Sequence, residues 1–248
     1  MTPNTSPVWG SGDQSAAREG VLSFGAPISE AQAAVILVHG RGASAISMQP
    51  LAEAWARPGV AFLAPDAAKQ GGAWYPHSFQ APLEDNEPQL SRALETLDAL
   101  VKKVTAGLAS PSRAGIESAP GGTQSERFSA RKLLLVGFSQ GACLAVEYAA
   151  RHARRYGGLA VLSGSLIGPP ETPRDYPGSL NGTPVFLGCS DNDPHIPRPR
   201  FEETDRVLTG MGAQVTARLY PDLPHTINDD EIATVDSMIA ALLGSSPA

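Results

Sequence analysis

Short apolar runs rich in β-branched side chains recur along the chain at residues 35–38, 60–63, 133–136, 159–162, 185–187 and 215–220, each ending in turn-forming residues. Read as continuous runs, these segments are expected to be strands covered on both faces. Between them, helical patterns occupy residues 46–56, 86–106, 140–156, 201–211 and 229–243. Strands alternating with helices predict a mostly parallel sheet with helices on both faces. Residues 21–24 are expected to add an edge strand.

Two segments break this rhythm. Residues 109–129 carry Ser, Pro, Gly and scattered charge with little apolar content, which predicts a solvated, mobile loop inserted before the strand at 133–136. Residues 67–82 instead combine Gly71 and Gly72 with Trp74, Tyr75, His77 and Phe79. Aromatic side chains on a loop at a strand's carboxyl end commonly line a ligand cleft, and equally pin such a loop to the body.

At 248 residues, 42% hydrophobic and 18% charged, the chain can close one sizeable core. A single α/β domain is therefore expected over residues 21–248, preceded by a flexible polar extension at 1–20. A net charge of -6 and the absence of a local Lys/Arg cluster argue against a nucleic-acid surface. Arg151, Arg154 and Arg155 come nearest to one, and they fall at the end of a predicted helix, where cations complement the dipole. No apolar run approaches a membrane span and residues 1–20 lack a hydrophobic signal core, so a cytoplasmic protein is expected. Cys143 and Cys189 form no disulfide framework and lack metal-ligand spacing, and both read as reduced packing residues. Cys143, inside a helix, is not expected to project into a cleft.

Gly137-Phe138-Ser139-Gln140-Gly141 follows the strand at 133–136 and precedes the Ala/Leu-rich helix. Composition alone yields roughly 0.2 such matches by chance, so the flanking order of strand, turn and helix carries the argument. Flanking glycines let the chain fold tightly enough to expose a serine at the strand's end, and the helix directs its free N–H groups at charge developing beside it.

A nucleophilic Ser139 needs a base, a group to orient that base, and donors for an oxyanion. Strand carboxyl ends converge on one crevice, so partners should follow later strands. Of five histidines, His225 alone follows the last predicted strand, and is the expected base. His39, His77 and His152 are given structural roles, as is His195, although its place beside the acid loop lets it influence the pocket. The acid is expected after the strand at 185–187, where Asp193 is preferred to Asp191 and Pro194 and Pro197 stiffen the loop. Asp191, Asp193 and Glu202 also have the first, third and twelfth spacing of a calcium loop, but Ile196 stands where that loop needs Gly. No metal or other cofactor is expected.

His39-Gly40-Arg41-Gly42 follows the first core strand, and the N–H groups of Arg41 and Gln140 are the expected oxyanion donors. The Arg41 side chain either faces solvent or binds an acidic group of the substrate. The loop lacks the Lys-Ser/Thr ending of a phosphate loop, so nucleotide binding is not supported.

These residues resemble the phospholipase/carboxylesterase group of α/β-hydrolases, which includes acyl-protein thioesterases and small bacterial carboxylesterases. The resemblance spans roughly residues 33–243 and rests on His39-Gly40-Arg41-Gly42, Trp74-Tyr75-Pro76, the Ser139 pentapeptide with Ala142, Asp193-Pro194-His195-Ile196-Pro197 and His225. Trp-Tyr-Pro and Asp-Pro-His-Ile-Pro look most like the bacterial branch linked to hydroquinone resistance. Departures are the 109–129 insertion, the polar extension, and Pro224 where a glycine often precedes the histidine. The resemblance implies an α/β-hydrolase fold without a large cap domain, Ser139 as nucleophile, Asp193 as acid, His225 as base, and Arg41 and Gln140 as N–H donors. A small-molecule ester or thioester is the expected substrate, with Trp74, Tyr75 and Phe79 forming its pocket. A lactonase or acyltransferase on the same residues, and a noncatalytic ligand-binding homologue, are the alternatives; oligomeric state is left open.

Overall fold

The computed structural model describes residues 20–67, 71–108 and 130–244. Nearly all of the expected N-terminal extension and the whole 109–129 insertion lie outside the described residues. Seven strands, β1 (Val21–Gly25), β2 (Ala33–Val38), β3 (Val60–Pro65), β4 (Leu133–Phe138), β5 (Gly158–Leu162), β6 (Pro184–Ser190) and β7 (Gln214–Tyr220), form one sheet in the order β1-β3-β2-β4-β5-β6-β7. Only β1 runs antiparallel, pairing with β3, so residues 21–24 do supply the expected edge strand.

Among the described residues five α-helices cover the sheet: α1 (Gln49–Ala54), α2 (Gln89–Leu108), α3 (Gln140–Arg151), α4 (Arg198–Gly210) and α5 (Asp229–Leu242). Successive strand residues point to opposite faces, and both faces are apolar. Ile36, Leu135 and Val161 join α2, α3 and α4 in one core, whereas Val35, Leu134 and Ala160 join Trp55, Val235 and Ile239 in the other. That double burial explains why the central strands read as unbroken apolar runs. The run at 215–220 departs from this expectation: β7 is the far edge, pairs only with β6, and is largely exposed or half-buried.

Several helix boundaries also differ from the periodic pattern, each for a local reason. The expected helix at 46–56 divides into a 3-10 turn, Ala45–Met48, and α1, because Pro50 has no N–H to donate back and is tolerated only in a first turn. Glu87 is extended, as a residue before proline tends to be, and α2 starts only beyond Pro88. α3 stops at Arg151 because Tyr156 is drawn into the core, where its N–H meets Thr183 Oγ1 at 3.0 Å and its hydroxyl donates to His152 O at 2.8 Å. Asn228 caps α5 in a reciprocal box with Glu231, and Asp229 and Asp230 complement the dipole of its first turn. Among the described residues no helix is long and apolar enough to cross a membrane.

Candidate active site

Ser139 joins β4 to α3 with φ 55° and ψ −121°, a left-handed conformation that costs a non-glycine residue on the order of 1–3 kcal/mol. The flanking glycines make the turn possible by close approach. A Cβ on Gly137 would fall 2.4 Å from Gly141 O, and one on Gly141 would fall 2.1 Å from Val38 O. Ser139 N donates to Leu162 O at 2.9 Å, but its hydroxyl makes no capping bond to α3. It lies instead 2.9 Å from His225 Nε2.

On the far side of the ring, His225 Nδ1 is 2.7 Å from Asp193 Oδ2. A proton on Nδ1 satisfies the carboxylate and leaves Nε2 to accept from the serine hydroxyl, which fixes the tautomer. Asp193 Oδ1 accepts from the N–H groups of His195 at 2.8 Å and Ile196 at 3.0 Å. Burial alone would raise the pKa of this carboxyl, but the hydrogen bonds from His225, His195 and Ile196 outweigh it and hold it below the usual value. Asp191 is exposed and faces elsewhere, accepting from Asp222 N at 3.1 Å. With Glu202 paired to Arg198 at 2.8 Å, all three residues of calcium-loop spacing are committed to other partners. Phe138 and His195 flank the His225 ring at 5.1 and 4.7 Å between centroids.

Gln140 is the first residue of α3, so its N–H has no partner within the helix. Arg41 stands in the turn after β2, beside Gly40, where an added Cβ would approach the Ser139 side chain to 3.4 Å. Their side chains do something the sequence does not reveal. Gln140 Oε1 accepts from Trp74 N at 2.9 Å and Nε2 donates to Tyr75 O at 2.8 Å. Arg41 Nη1 donates to Pro76 O at 2.8 Å, Nη2 donates to His77 O, and the guanidinium carbon lies 5.9 Å from the Tyr75 ring centroid. The Arg41 side chain is thus anchored to the aromatic loop and not simply released to solvent. Asn86 Oδ1 accepts from His77 N at 2.9 Å, and Gly168 N donates to Phe79 O at 2.6 Å. A segment without helix or strand must satisfy its backbone groups this way, which is the signal by which such partners can be sought.

A cavity of about 930 Å³ opens over Ser139. Tyr75 and Phe79 line it, and so do His77 and His195. Trp74 corrects the expectation: it is absent from the described lining, and lies behind the wall with its indole N–H donating to His39 O at 2.8 Å and its ring 4.9 Å from that of His39. His39 itself is buried, which lowers its pKa, and its Nε2 accepts from Ala67 N at 3.1 Å, a structural role. His152 ends α3 and stacks on Tyr148 at 4.5 Å. Cys143 supplies a second correction. One helical turn beyond Ser139 it shares that residue's face and reaches the cavity wall. Burial pushes its thiol up to about 12, so it is not poised as a nucleophile. Met48, Leu51, Phe138 and Ile227 also line the cavity, and sequence reasoning misses them because their periodicity marks them only as apolar.

A family model described as phospholipase/carboxylesterase matches residues 21–243. Among solved structures, a phospholipase/carboxylesterase from Dyadobacter fermentans is 36% identical, with 88% of this chain and 95% of that one covered and a TM-score of 0.73. Arabidopsis thaliana SOBER1 is 19% identical over 85% of this chain and 99% of its own, with a TM-score of 0.65. A Bacillus cereus carboxylesterase is 18% identical over 90% and 93%, with a TM-score of 0.64. The last two show likeness of fold alone. No curated protein matches the chain.

Proposed function

The chain belongs to the phospholipase/carboxylesterase family of α/β-hydrolases and is a carboxylesterase, and from that premise we propose that it works through Ser139, His225 and Asp193 by way of an acyl-enzyme. The observation that supports this reading is the unbroken line of contacts from Ser139 Oγ through the His225 ring to Asp193, at 2.9 and 2.7 Å.

Ser139 Oγ attacks the ester carbonyl carbon while its proton passes to His225 Nε2. The carbonyl oxygen becomes an oxyanion that accepts from the N–H groups of Arg41, in the turn after β2, and of Gln140, at the positive end of α3. As the tetrahedral intermediate collapses, the bond to the leaving oxygen or sulfur breaks and His225 returns the proton to it. Water then attacks the acyl-enzyme, losing a proton to His225, and the acid is released as the proton goes back to Ser139 Oγ. Asp193 keeps its charge throughout and stabilises the imidazolium.

The cavity, with Tyr75 and Phe79 on one side and Met48 and Leu51 on another, suits small to medium esters or thioesters. Hydrolysis of p-nitrophenyl esters from acetate to dodecanoate by wild type and Ser139→Ala, with fluorophosphonate labelling of Ser139, tests the reading. Turnover and labelling, both abolished in the variant, are expected. A folded wild type that neither turns over any ester nor takes the label would overturn it.

A further inference from the structure

The chain carries 25 acidic and 19 basic residues, yet the described cavity lining contains no Asp or Glu. It does contain Arg41, His77 and His195, together with His225. Arg41 differs in its partners from six of the other arginines. Arg57, Arg151, Arg174, Arg198, Arg200 and Arg218 each pair with a carboxylate. Among the described residues, the guanidinium of Arg41 has backbone carbonyls for partners, so its positive charge is left uncompensated at the cavity.

Two of its five N–H donors hold the carbonyls of Pro76 and His77, and the rest remain for a ligand. The carbonyl bonds and the Tyr75 ring also fix the fork in place, which reduces the entropy lost when it binds a planar anion. Oxyanion stabilisation does not explain this charge. It asks of position 41 only a backbone N–H, which nearly any residue would supply.

We infer that the physiological substrate is an ester carrying a carboxylate, which the Arg41 guanidinium binds while the uncharged half lies against Met48, Leu51, Phe138 and Ile227. The inference rests on the serine-esterase reading and specifies its substrate class. His77 and His195 add donors on the same cavity.

The test uses two matched pairs of esters, one for a carboxylate carried in the acyl half and one for a carboxylate carried in the alcohol half. In the acyl half, 4-nitrophenyl hydrogen glutarate is set against 4-nitrophenyl 5-methylhexanoate, in which an isopropyl group replaces the carboxylate. In the alcohol half, 4-acetoxybenzoate is set against 4-acetoxybenzamide. After correction for uncatalysed hydrolysis, kcat/KM should favour the anionic member of at least one pair by about tenfold or more, as expected of a charge-assisted fork. That ratio should shrink between about 0.05 M and about 0.5 M salt, as screening shortens. It should collapse in Arg41→Gln and recover in part in Arg41→Lys, whereas a merely structural arginine would lower all four rates together and leave the ratio alone. Equal or better use of the neutral members, or a preference that survives Arg41→Gln, would overturn the inference and leave the esterase standing. Failure of all four esters together with an unlabelled Ser139 would overturn both.

Discussion

Met48, Leu51, Phe138 and Ile227 reach the cavity from the core beneath α1 and α5, where side-chain packing holds them, whereas residues 75–79 form a loop held by hydrogen bonds with Arg41, Gln140, Asn86 and Gly168. The first wall is set by volumes and can be reshaped one side chain at a time. The second is tied to the residues whose N–H groups face the developing oxyanion in the proposed mechanism. Size selection at Met48 and Leu51 should therefore be separable from the proposed chemistry, and shape on the bonded side should not.

The largest effect comes from removing the chemistry beneath both walls. Ser139→Ala should lower kcat by about 10⁴ to 10⁶ for every acyl length in a p-nitrophenyl series. Asp193→Asn should cost about 10⁴, because it supports the wrong His225 tautomer, while Asp191→Asn stays close to wild type; the reverse order would reassign the acid. The bonded wall comes next. Gln140→Met keeps length and backbone N–H but strands Trp74 N and Tyr75 O, a loss of about 1–3 kcal/mol for each buried group, so kcat should fall about ten- to a hundredfold at all acyl lengths. A change confined to KM would break the link between that wall and the oxyanion. Leu51→Ala sharpens the contrast from the other side: the preferred acyl chain should lengthen while kcat on short esters stays within about threefold. An equal loss on short esters would erase the distinction.

The smallest effect concerns Glu231, whose box with Asn228 anchors the chain just beyond Ile227. Burial, opposed by the Asn228 N–H and aided by Asp230, pushes its carboxyl up to about 7, from 4.5. The folded state then retains a proton that the unfolded state releases, so stability falls as pH rises from about 4.5 to about 7. Glu231→Gln should flatten that part of the Tm profile, a difference of about a few degrees in thermal melts. An unchanged slope would assign the pH dependence to other groups.

The central strands and the order of helices were legible because burial on both faces leaves an unbroken apolar signature. Ser139, His225 and Asp193 could be proposed as partners because each follows a strand in the order the sheet demands, and the geometry brings their side chains together. Other features depend on distant pairings that periodicity cannot carry. Trp74 is indistinguishable from Tyr75 in a string of aromatic residues until His39 O is seen to accept its indole N–H. The Arg41 and Gln140 side chains act on backbone groups some 35 and 65 positions away, and carbonyls leave no mark in a sequence. β7 is the exception among the strands, because Thr216 and Arg218 alternate with Val215, Ala217 and Leu219, a pattern that fits one covered face and its place at the sheet edge.

The left-handed backbone of Ser139 has a consequence for how such a protein ages under selection. The turn would be more relaxed with glycine there, so the fold should gain stability from the very replacement that removes the proposed nucleophile. Selection for heat resistance alone, without selection for turnover, would thus tend to erode the site first, and a thermostable variant in which Ser139 survives must have gained its stability elsewhere.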